Sequence, residues 1–433
     1  MDLSRRFLLT GAAALTLAAK PAPKAAPKAA APAAPPPPAP SPADQRLLAR
    51  AAETRLKLAF DGRRFSGPGW DRLVQEGRAA RFVMLGEEHG IAEIPALAAQ
   101  LFEAVEAERL AIEVSPRTAA DLDQAARGGV EGLKRFFAAD PDIPANMTVP
   151  FYPLAPEARL LALARAAAPG KGQAFWGLDY EVLGDRRSIA LLREKAPASA
   201  RAALAALAVA SEAAWKAYRL SGNPADLFTF GGDPALVLAV DAAWRSPDPQ
   251  SQEILDTLLA TLETNRFYAK EDFYASNARR SAFGRGSFVR YWQAERKAGR
   301  KPRVLFKMGA NHLIRGRSFT ELFDIGNLVY ETAEAEGDRA FNVLVTGAPG
   351  SQQAAFNPME GTYMPVPVKT FEDLGVKGFE TLAMPGAHAF VDLRPARAAA
   401  SSRGADPRLA RIVLGYDALV ILDRSHASEA LSG

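Results

Sequence analysis

The sequence predicts an α/β protein with a mostly parallel or mixed central sheet flanked by helices. Short apolar runs rich in β-branched and aromatic residues recur along the chain, which is typical of buried strands. Helical stretches separate the first three of these runs, as in sheets whose strands are joined by helical crossovers. A long helical section then interrupts the series, so we also expect a large helical insertion between the third and fourth strands.

Seven segments have the composition of buried strands: residues 81–86, 110–114, 174–179, 303–308, 341–345, 389–393 and 418–422. One helix is predicted over residues 94–106, where Pro95 in the first turn marks a helix start. A second helix is predicted over residues 156–168. Strand and helix therefore alternate through the first half of the chain, which favours parallel pairing.

Residues 186–299 form the predicted insertion. This section is rich in Ala and Leu and has a helical period, with breaks at residues 221–224 and 231–234, where glycine and proline occur. It is expected either to pack beside the sheet or to cover the mouth of the sheet as a lid.

The first 19 residues have the features of a secretion signal of the twin-arginine type. Arg5 and Arg6 precede a short apolar run and a zone of small residues. The general secretory route is the alternative. The apolar run is far shorter than the roughly 20 residues that cross a bilayer, and no later segment predicts a transmembrane helix. The mature chain is therefore expected in the periplasm or secreted, with the twin-arginine translocase as its partner during export.

Residues 20–43 are almost entirely Ala, Pro and Lys, which predicts an extended linker, and residues 44–433 are then expected to form a single domain. The first 43 residues carry the whole net charge of +4, so the remainder is near neutral. The near-neutral charge of residues 44–433 does not predict a nucleic acid partner. The chain has no cysteine, which excludes disulfides, thiolate metal sites and a lipoprotein anchor.

Polar and titratable residues follow each of the first four predicted strands. In an open α/β sheet, ligands bind beyond the carboxyl ends of the strands, so these side chains are expected to converge at one edge. In chain order the candidates are Glu87, His89 and Glu93; then Glu113; then Asp179 and Glu181; and finally Asn311, His312 and Arg315.

Two kinds of chemistry fit such a set. A neutral histidine that is hydrogen-bonded to a carboxylate can take a proton from water, and a second histidine can polarise a carbonyl or protonate a leaving group. Alternatively, two histidines and two or three carboxylates could hold a divalent metal. A serine nucleophile is disfavoured, because no Gly-x-Ser-x-Gly elbow with a matching histidine is present.

Three short motifs together resemble the erythromycin esterase-like, ChaN and Tiki/TraB superfamily: residues 86–93 (Gly-Glu-Glu-His-Gly-Ile-Ala-Glu), 111–113 (Ala-Ile-Glu) and 309–312 (Gly-Ala-Asn-His). Erythromycin esterases carry two residues between the Glu and the His of the first motif. This chain has one, as ChaN-like members do, while Gly90 and Glu93 follow the esterase pattern. The subfamily therefore stays open.

The resemblance implies hydrolysis of an ester, lactone or peptide carbonyl. It makes His89 the general base, with Glu87 and Glu113 orienting it, and it makes His312 the group that stabilises the oxyanion or acts as acid. The remaining candidates would contact substrate or support these residues: Glu93, Asp179, Glu181, Asn311, Arg315 and Asn277, the last in a helix that resembles one the esterases bring to the site.

Two other functions stay open. A Tiki-like member would be a metal-dependent peptidase, with Glu87, His89, Glu113 and His312 as ligands. A ChaN-like member would bind haem or iron without catalysis, which is disfavoured by the small number of histidines and the missing lipid anchor. The leading interpretation requires no cofactor and takes a small molecule or peptide as substrate.

Overall fold

The computed structural model describes residues 40–140, 143–168, 170, 172–357, 362–376 and 378–431. The predicted secretion signal and residues 20–39 of the predicted linker lie outside this part of the chain. The linker was expected to reach residue 43, but a first helix, α1 (Pro42–Ala52), begins earlier. The reason is a capping box, in which Ser41 and Asp44 bond to each other's backbone amides.

Within the described part of residues 56–177, the chain forms five strands and five further α-helices. They follow in the order β1 (Leu56–Phe60), β2 (Phe65–Ser66), α2 (Pro68–Arg78), β3 (Phe82–Glu87), α3 (Glu93–Ala104), β4 (Arg109–Ile112), α4 (Pro116–Ala126), α5 (Gly129–Phe137), α6 (Ala155–Ala167) and β5 (Phe175–Gly177).

The predicted helical insertion is confirmed. It comprises α7 (Asp185–Lys195), α8 (Arg201–Ser221), α9 (Phe228–Gly231), α10 (Pro234–Ala243), α11 (Pro249–Ala269) and α12 (Phe273–Lys297). The helices break at the predicted places: α8 ends where Gly222 adopts a φ of 65°, and α10 begins at Pro234. The insertion packs beside the sheet, because Phe288 and Trp292 of α12 contact Phe82 of β3.

The remaining elements complete the sheet. They are β6 (Val304–Gly309), α13 (Ala310–Leu313), α14 (Ile325–Ala335), β7 (Ala340–Gly347), β8 (Gln352–Asn357), β9 (Thr362–Pro367), α15 (Thr370–Asp373), β10 (His388–Asp392), α16 (Arg397–Ala400), α17 (Pro407–Gly415) and β11 (Ala418–Leu422). All seven predicted strands are present, and β1, β2, β8 and β9 are additional.

Nine strands form one mixed sheet in the order β2-β1-β10-β11-β7-β3-β6-β4-β5. The strands from β11 to β5 are parallel, and β10, β1 and β2 extend the sheet in antiparallel pairing. Among the described residues, strands β8 and β9 pair only with each other, outside the nine-stranded sheet. Strand β3 lies between β6 and β7, and its last residue, Glu87, pairs with Gly309 and Val345.

Both faces of the sheet are covered, so the polar residues collect at its carboxyl edge. Val83 and Leu85 of β3 pack in the same cluster as residues of α3, α4 and α6, whereas Phe82 and Met84 pack with α12 and α14. Among the described helices, none has the length and apolar character needed to span a bilayer.

Candidate active site

Four of the sequence-predicted residues meet at the carboxyl edge of the sheet. Glu87 ends β3, His89 follows it, Glu113 follows β4, and His312 lies in the short helix after β6. Each is at most 8% exposed. Glu87, His89 and His312 line a narrow cleft with a volume of about 70 Å³.

His89 is held from several sides. Its Nδ1 lies 2.9 Å from Glu87 Oε1, and its Nε2 lies 3.4 Å from Glu113 Oε2. The ring of Phe151 stacks on the imidazole at a centroid distance of 4.3 Å. The backbone amide of Phe151 in turn donates to the Tyr363 hydroxyl of β9 at 2.9 Å. The β8–β9 hairpin therefore helps to fix the histidine ring, although it contributes no strand to the sheet.

His312 repeats this arrangement on the other side of Glu113. Its Nδ1 lies 2.8 Å from Asp324 Oδ2, and its Nε2 lies 3.5 Å from Glu113 Oε1. The other oxygen of Asp324 accepts from the Ser281 hydroxyl and from the Ile325 amide. Both histidines are thus fixed at Nδ1 by a carboxylate and turn Nε2 towards the same glutamate, which orients both rings.

Glu113 is also bound by two strong donors. Arg280 Nη2 donates to Oε1 at 2.6 Å, and the Gly309 amide donates to Oε2 at 2.6 Å. The Arg280 guanidinium is itself held by Asp179, with bonds of 2.8 and 2.6 Å to its two oxygens. Asp179 therefore contacts the site through Arg280, a residue of α12 in the insertion.

The charges around His89 decide its protonation. Burial opposes the charged imidazole, but the carboxylates of Glu113 and Glu87 outweigh that effect and raise the pKa of His89 to about 10. Burial alone would raise the pKa of Glu113, yet His89, His312 and other cations hold that pKa well below its usual range. Without a ligand, His89 is therefore an imidazolium at neutral pH.

His312 is influenced in the same direction. Burial and the Arg280 guanidinium disfavour its charged form, but the carboxylates of Asp324 and Glu113 raise its pKa above the ordinary value. The site therefore combines a buried carboxylate with a guanidinium and with two imidazoles whose charged forms are favoured by the neighbouring carboxylates.

The remaining cleft wall is mostly apolar and is formed by Phe319, Leu344, Leu374, Ile412 and Tyr416. Glu88 also lines the cleft and accepts a hydrogen bond from the Thr370 hydroxyl at 2.8 Å. Burial raises the pKa of Glu88. The cleft thus combines an apolar wall with a polar cluster, the pairing of surfaces that is typical of small-molecule sites.

Two further predicted residues line the cleft. Asn277 donates from its side chain to the Phe273 carbonyl at 2.7 Å, and Asn311 Oδ1 accepts from the Phe319 amide at 2.9 Å. Both side chains thus stabilise the cleft wall while facing the ligand space.

Three predicted residues lie away from this cleft. Glu93 pairs with His426 in another cleft, with 2.6 Å between Oε1 and Nδ1. Glu181 is buried under hydrogen bonds from two hydroxyls and three backbone amides after β5. Arg315 donates to the Leu414 carbonyl and lies over the Tyr330 ring. Their local partners account for all three without substrate.

The residues proposed as metal ligands do not fit a divalent cation. Both oxygens of Glu113 already accept bonds from Arg280 and Gly309, and the Lys307 ammonium lies 2.7 Å from Glu87 Oε1. These positive charges would repel a cation at the same place. Within the described part of the chain, no three His, Cys, Asp or Glu residues are grouped to hold a metal ion.

Comparison with solved structures identifies the architecture. No protein-family model and no curated protein sequence matches the chain. A mutant of the erythromycin esterase EreC in its open conformation superposes with a TM-score of 0.58 at 14% identity, covering 88% of this chain and 100% of that chain. The chain has an erythromycin esterase-like fold. The resemblance inferred from the three motifs is thus confirmed for the fold.

Two further structures are similar. A Bacillus cereus protein gives a TM-score of 0.52 at 13% identity, covering 90% of this chain and 100% of its own. A succinoglycan biosynthesis protein gives 0.54 at 11% identity, with 90% and 98% covered. At these identities the likeness establishes the erythromycin esterase-like fold and leaves substrate and reaction to be argued from the site.

Sequence reasoning missed several residues that this site depends on. Arg280 and Asp324 belong to helical or loop segments, where a charged residue is indistinguishable from a solvated one by pattern alone. Lys307 did carry a usable signal, because it interrupts the apolar run of β6 and buried lysines are rare unless paired. No sequence pattern indicated that Phe151 would contact the site.

Gly309 is required by the close approach of the site to β6. A Cβ at this position would lie 3.0 Å from His89 Nε2 and 3.2 Å from Glu113 Oε2. We expect Gly309→Ala to displace both groups and to lower kcat by about 10- to 100-fold, because a shift near 1 Å has effects of that size. Hydrolysis kinetics and a thermal melt would be measured together.

The matched control for this prediction is Gly286→Ala in α12, where an added Cβ meets nothing closer than Arg290 Nη1 at 3.7 Å. Equal kcat values for the two variants would contradict the proposed crowding at Gly309.

Proposed function

We propose that the mature chain is an exported hydrolase in which water attacks the carbonyl of an ester or lactone, or less favourably of a peptide. One observation carries the proposal. Two histidines that line a cleft with an apolar wall are each fixed at Nδ1 by a carboxylate, and both turn their Nε2 atoms towards Glu113. The erythromycin esterase-like fold supports the same reaction class.

His89 is the proposed general base. Because Glu87 holds Nδ1, the neutral ring keeps its proton there and presents the lone pair of Nε2. Nε2 accepts one proton from water as the water oxygen bonds to the carbonyl carbon. The carbonyl π electrons move to the oxygen, which gives a tetrahedral oxyanion.

His312 and Arg280 are the proposed partners of that oxyanion and of the leaving group. Asp324 and Glu113 raise the pKa of His312 and so favour its protonated form, and Arg280 lines the cleft as a buried cation. When the oxyanion collapses, the bond to the alkoxide oxygen breaks and His312 donates its Nε2 proton there. The products are a carboxylic acid and an alcohol, or a hydroxy acid from a lactone.

The high pKa of His89 predicts an alkaline pH profile. Only the neutral ring accepts a proton, and Glu113 and Glu87 raise the pKa of His89 to about 10, so the active form is lost as pH falls below that value. We expect kcat/KM to rise about tenfold per pH unit as pH increases from neutrality towards the pKa of His89, until the proton that His312 donates is lost. A profile that is already flat from about pH 6 would contradict His89 as the base.

The reaction itself is tested with a panel of uncharged esters, lactones and short peptides in ¹⁸O-labelled water. The proposal expects ester or lactone turnover with the label in the product carboxylate. Turnover of peptides alone, lost with a chelator and restored by a metal, would instead favour the metal-dependent peptidase. Absence of turnover across the panel, together with a haem absorption band, would favour the binding protein.

A further inference from the structure

A buried lysine connects the site to a second glutamate that faces the protein interior. Lys307 of β6 is 1% exposed, and its Nζ donates to Glu87 Oε1 at 2.7 Å and to Glu157 Oε1 at 2.6 Å. Its Nζ also lies 6.0 Å from the centre of the Tyr152 ring. Glu157 belongs to α6, on the face of the sheet opposite α12.

The charges of this cluster do not balance internally. One ammonium is shared by two carboxylates, and Glu157 Oε2 is buried without a hydrogen-bond partner among the described residues. A buried charge is costly unless compensated, so the excess negative charge that is present while Glu157 is ionised favours a cationic neighbour. That neighbour is His89, whose Nδ1 shares Glu87 Oε1 with the lysine.

We propose that Lys307 and Glu157 are positioning residues that act on His89 in opposite senses through Glu87. Lys307 anchors the Glu87 carboxylate and neutralises part of its charge. Glu157 competes for the same ammonium, leaves more negative charge on Glu87, and so holds a proton on His89. This inference rests on the proposed function, because it assigns these residues a role in preparing the base.

The cluster responds to pH near neutrality. Burial raises the pKa of Glu157 to about 7, although Lys307 opposes the rise, while Glu157 and Glu87 keep Lys307 charged despite its burial. When Glu157 takes up a proton, Glu87 remains the only one of these two carboxylates that pairs with Lys307 as an ion. The negative charge beside His89 then decreases, and His89 loses its proton more readily.

Substitutions at the two positions are expected to shift the pKa of His89 in opposite directions. Glu157→Gln should lower the pH at which His89 titrates by about one pH unit, which gives about tenfold more neutral base at a given pH. Lys307→Met should raise that pH by a similar amount and lower kcat/KM near neutrality. If the two residues had a purely structural role, the substitutions would change stability without shifting the titration of His89 in opposite directions.

The experiment follows the histidine directly. Full-length wild type, Glu157→Gln, Lys307→Met and the double variant are labelled with ¹⁵N-histidine and titrated by NMR, with the His89 signal assigned by its loss in His89→Asn. The kcat/KM profiles are recorded in parallel. Glu295→Gln serves as control, because it breaks another buried ion pair, with Arg109, outside the cleft.

The proposal is supported if the pH at which His89 titrates shifts in opposite directions in Glu157→Gln and Lys307→Met and does not shift in Glu295→Gln. Shifts of the same sign, or no shift in Glu157→Gln, would overturn it. If Lys307→Met does not fold, the result for Glu157→Gln decides alone. The two hypotheses fail separately: opposite NMR shifts in a protein without hydrolase activity would reject only the proposed function. Hydrolysis with an unmoved His89 titration would reject only the positioning roles.

Discussion

Replacing His89 with asparagine is expected to lower kcat by about 10²- to 10⁴-fold, the usual contribution of a general base. Asparagine can still donate a hydrogen bond to Glu87, but it has no nitrogen that exchanges a proton near neutral pH. The rate should fall at every pH, and the alkaline rise of kcat/KM should disappear. Ester hydrolysis across the pH range measures both effects.

The matched control is His426→Ala. The His426 side chain is 80% exposed and pairs with Glu93 outside the active-site cleft, so its loss should leave kcat within about twofold of wild type. If His89→Asn retained the wild-type profile, the base would have to be another residue.

Arg280→Met is expected to lower the free energy of unfolding by about 3–5 kcal/mol, because it leaves two buried carboxylates without their cation. Among the described residues, Asp179 would lose both of its bonds to the guanidinium and keep the Tyr180 amide. Glu113 would keep the Gly309 amide and the more distant histidine nitrogens. Urea unfolding at neutral pH measures the loss.

Arg279→Met is the control for this experiment. Arg279 is the adjacent residue of α12 and also forms an ion pair, at 2.6 Å with Glu263, but its side chain is 29% exposed. Its loss should cost no more than about 1 kcal/mol. If the two variants unfolded at the same urea concentration, the Arg280 network would not be a stabilising feature.

The fold was predictable where strands are buried on both faces. Strands such as β3 and β11 are unbroken apolar runs, which period and composition reveal. The hairpin β8–β9 was missed because it lies outside the sheet, is rich in polar residues and contains Pro365 and Pro367. Strand β2 has only two residues, too few to form a pattern.

The candidate site was predictable to the extent that strand ends converge. Glu87, His89, Glu113 and His312 follow parallel strands, and the structure brings them together. The groups that set their charge could not be found in this way. Arg280 comes from the insertion and Glu157 from a helix beneath the sheet, and no local spacing connects either residue to Glu113 or Glu87.

The order of these charges along the chain has a consequence for synthesis on the ribosome. The carboxylates Glu87, Glu113 and Glu157 emerge first, whereas Arg280 and Lys307, which neutralise them, are 167 and 220 residues beyond their partners Glu113 and Glu87. Strand β6 must also insert between β3 and β4. A nascent chain that ends before Arg280 and β6 thus has neither a continuous central sheet nor the cations that neutralise these carboxylates. Sheet and site are expected to form in one late event, after β6 has been translated.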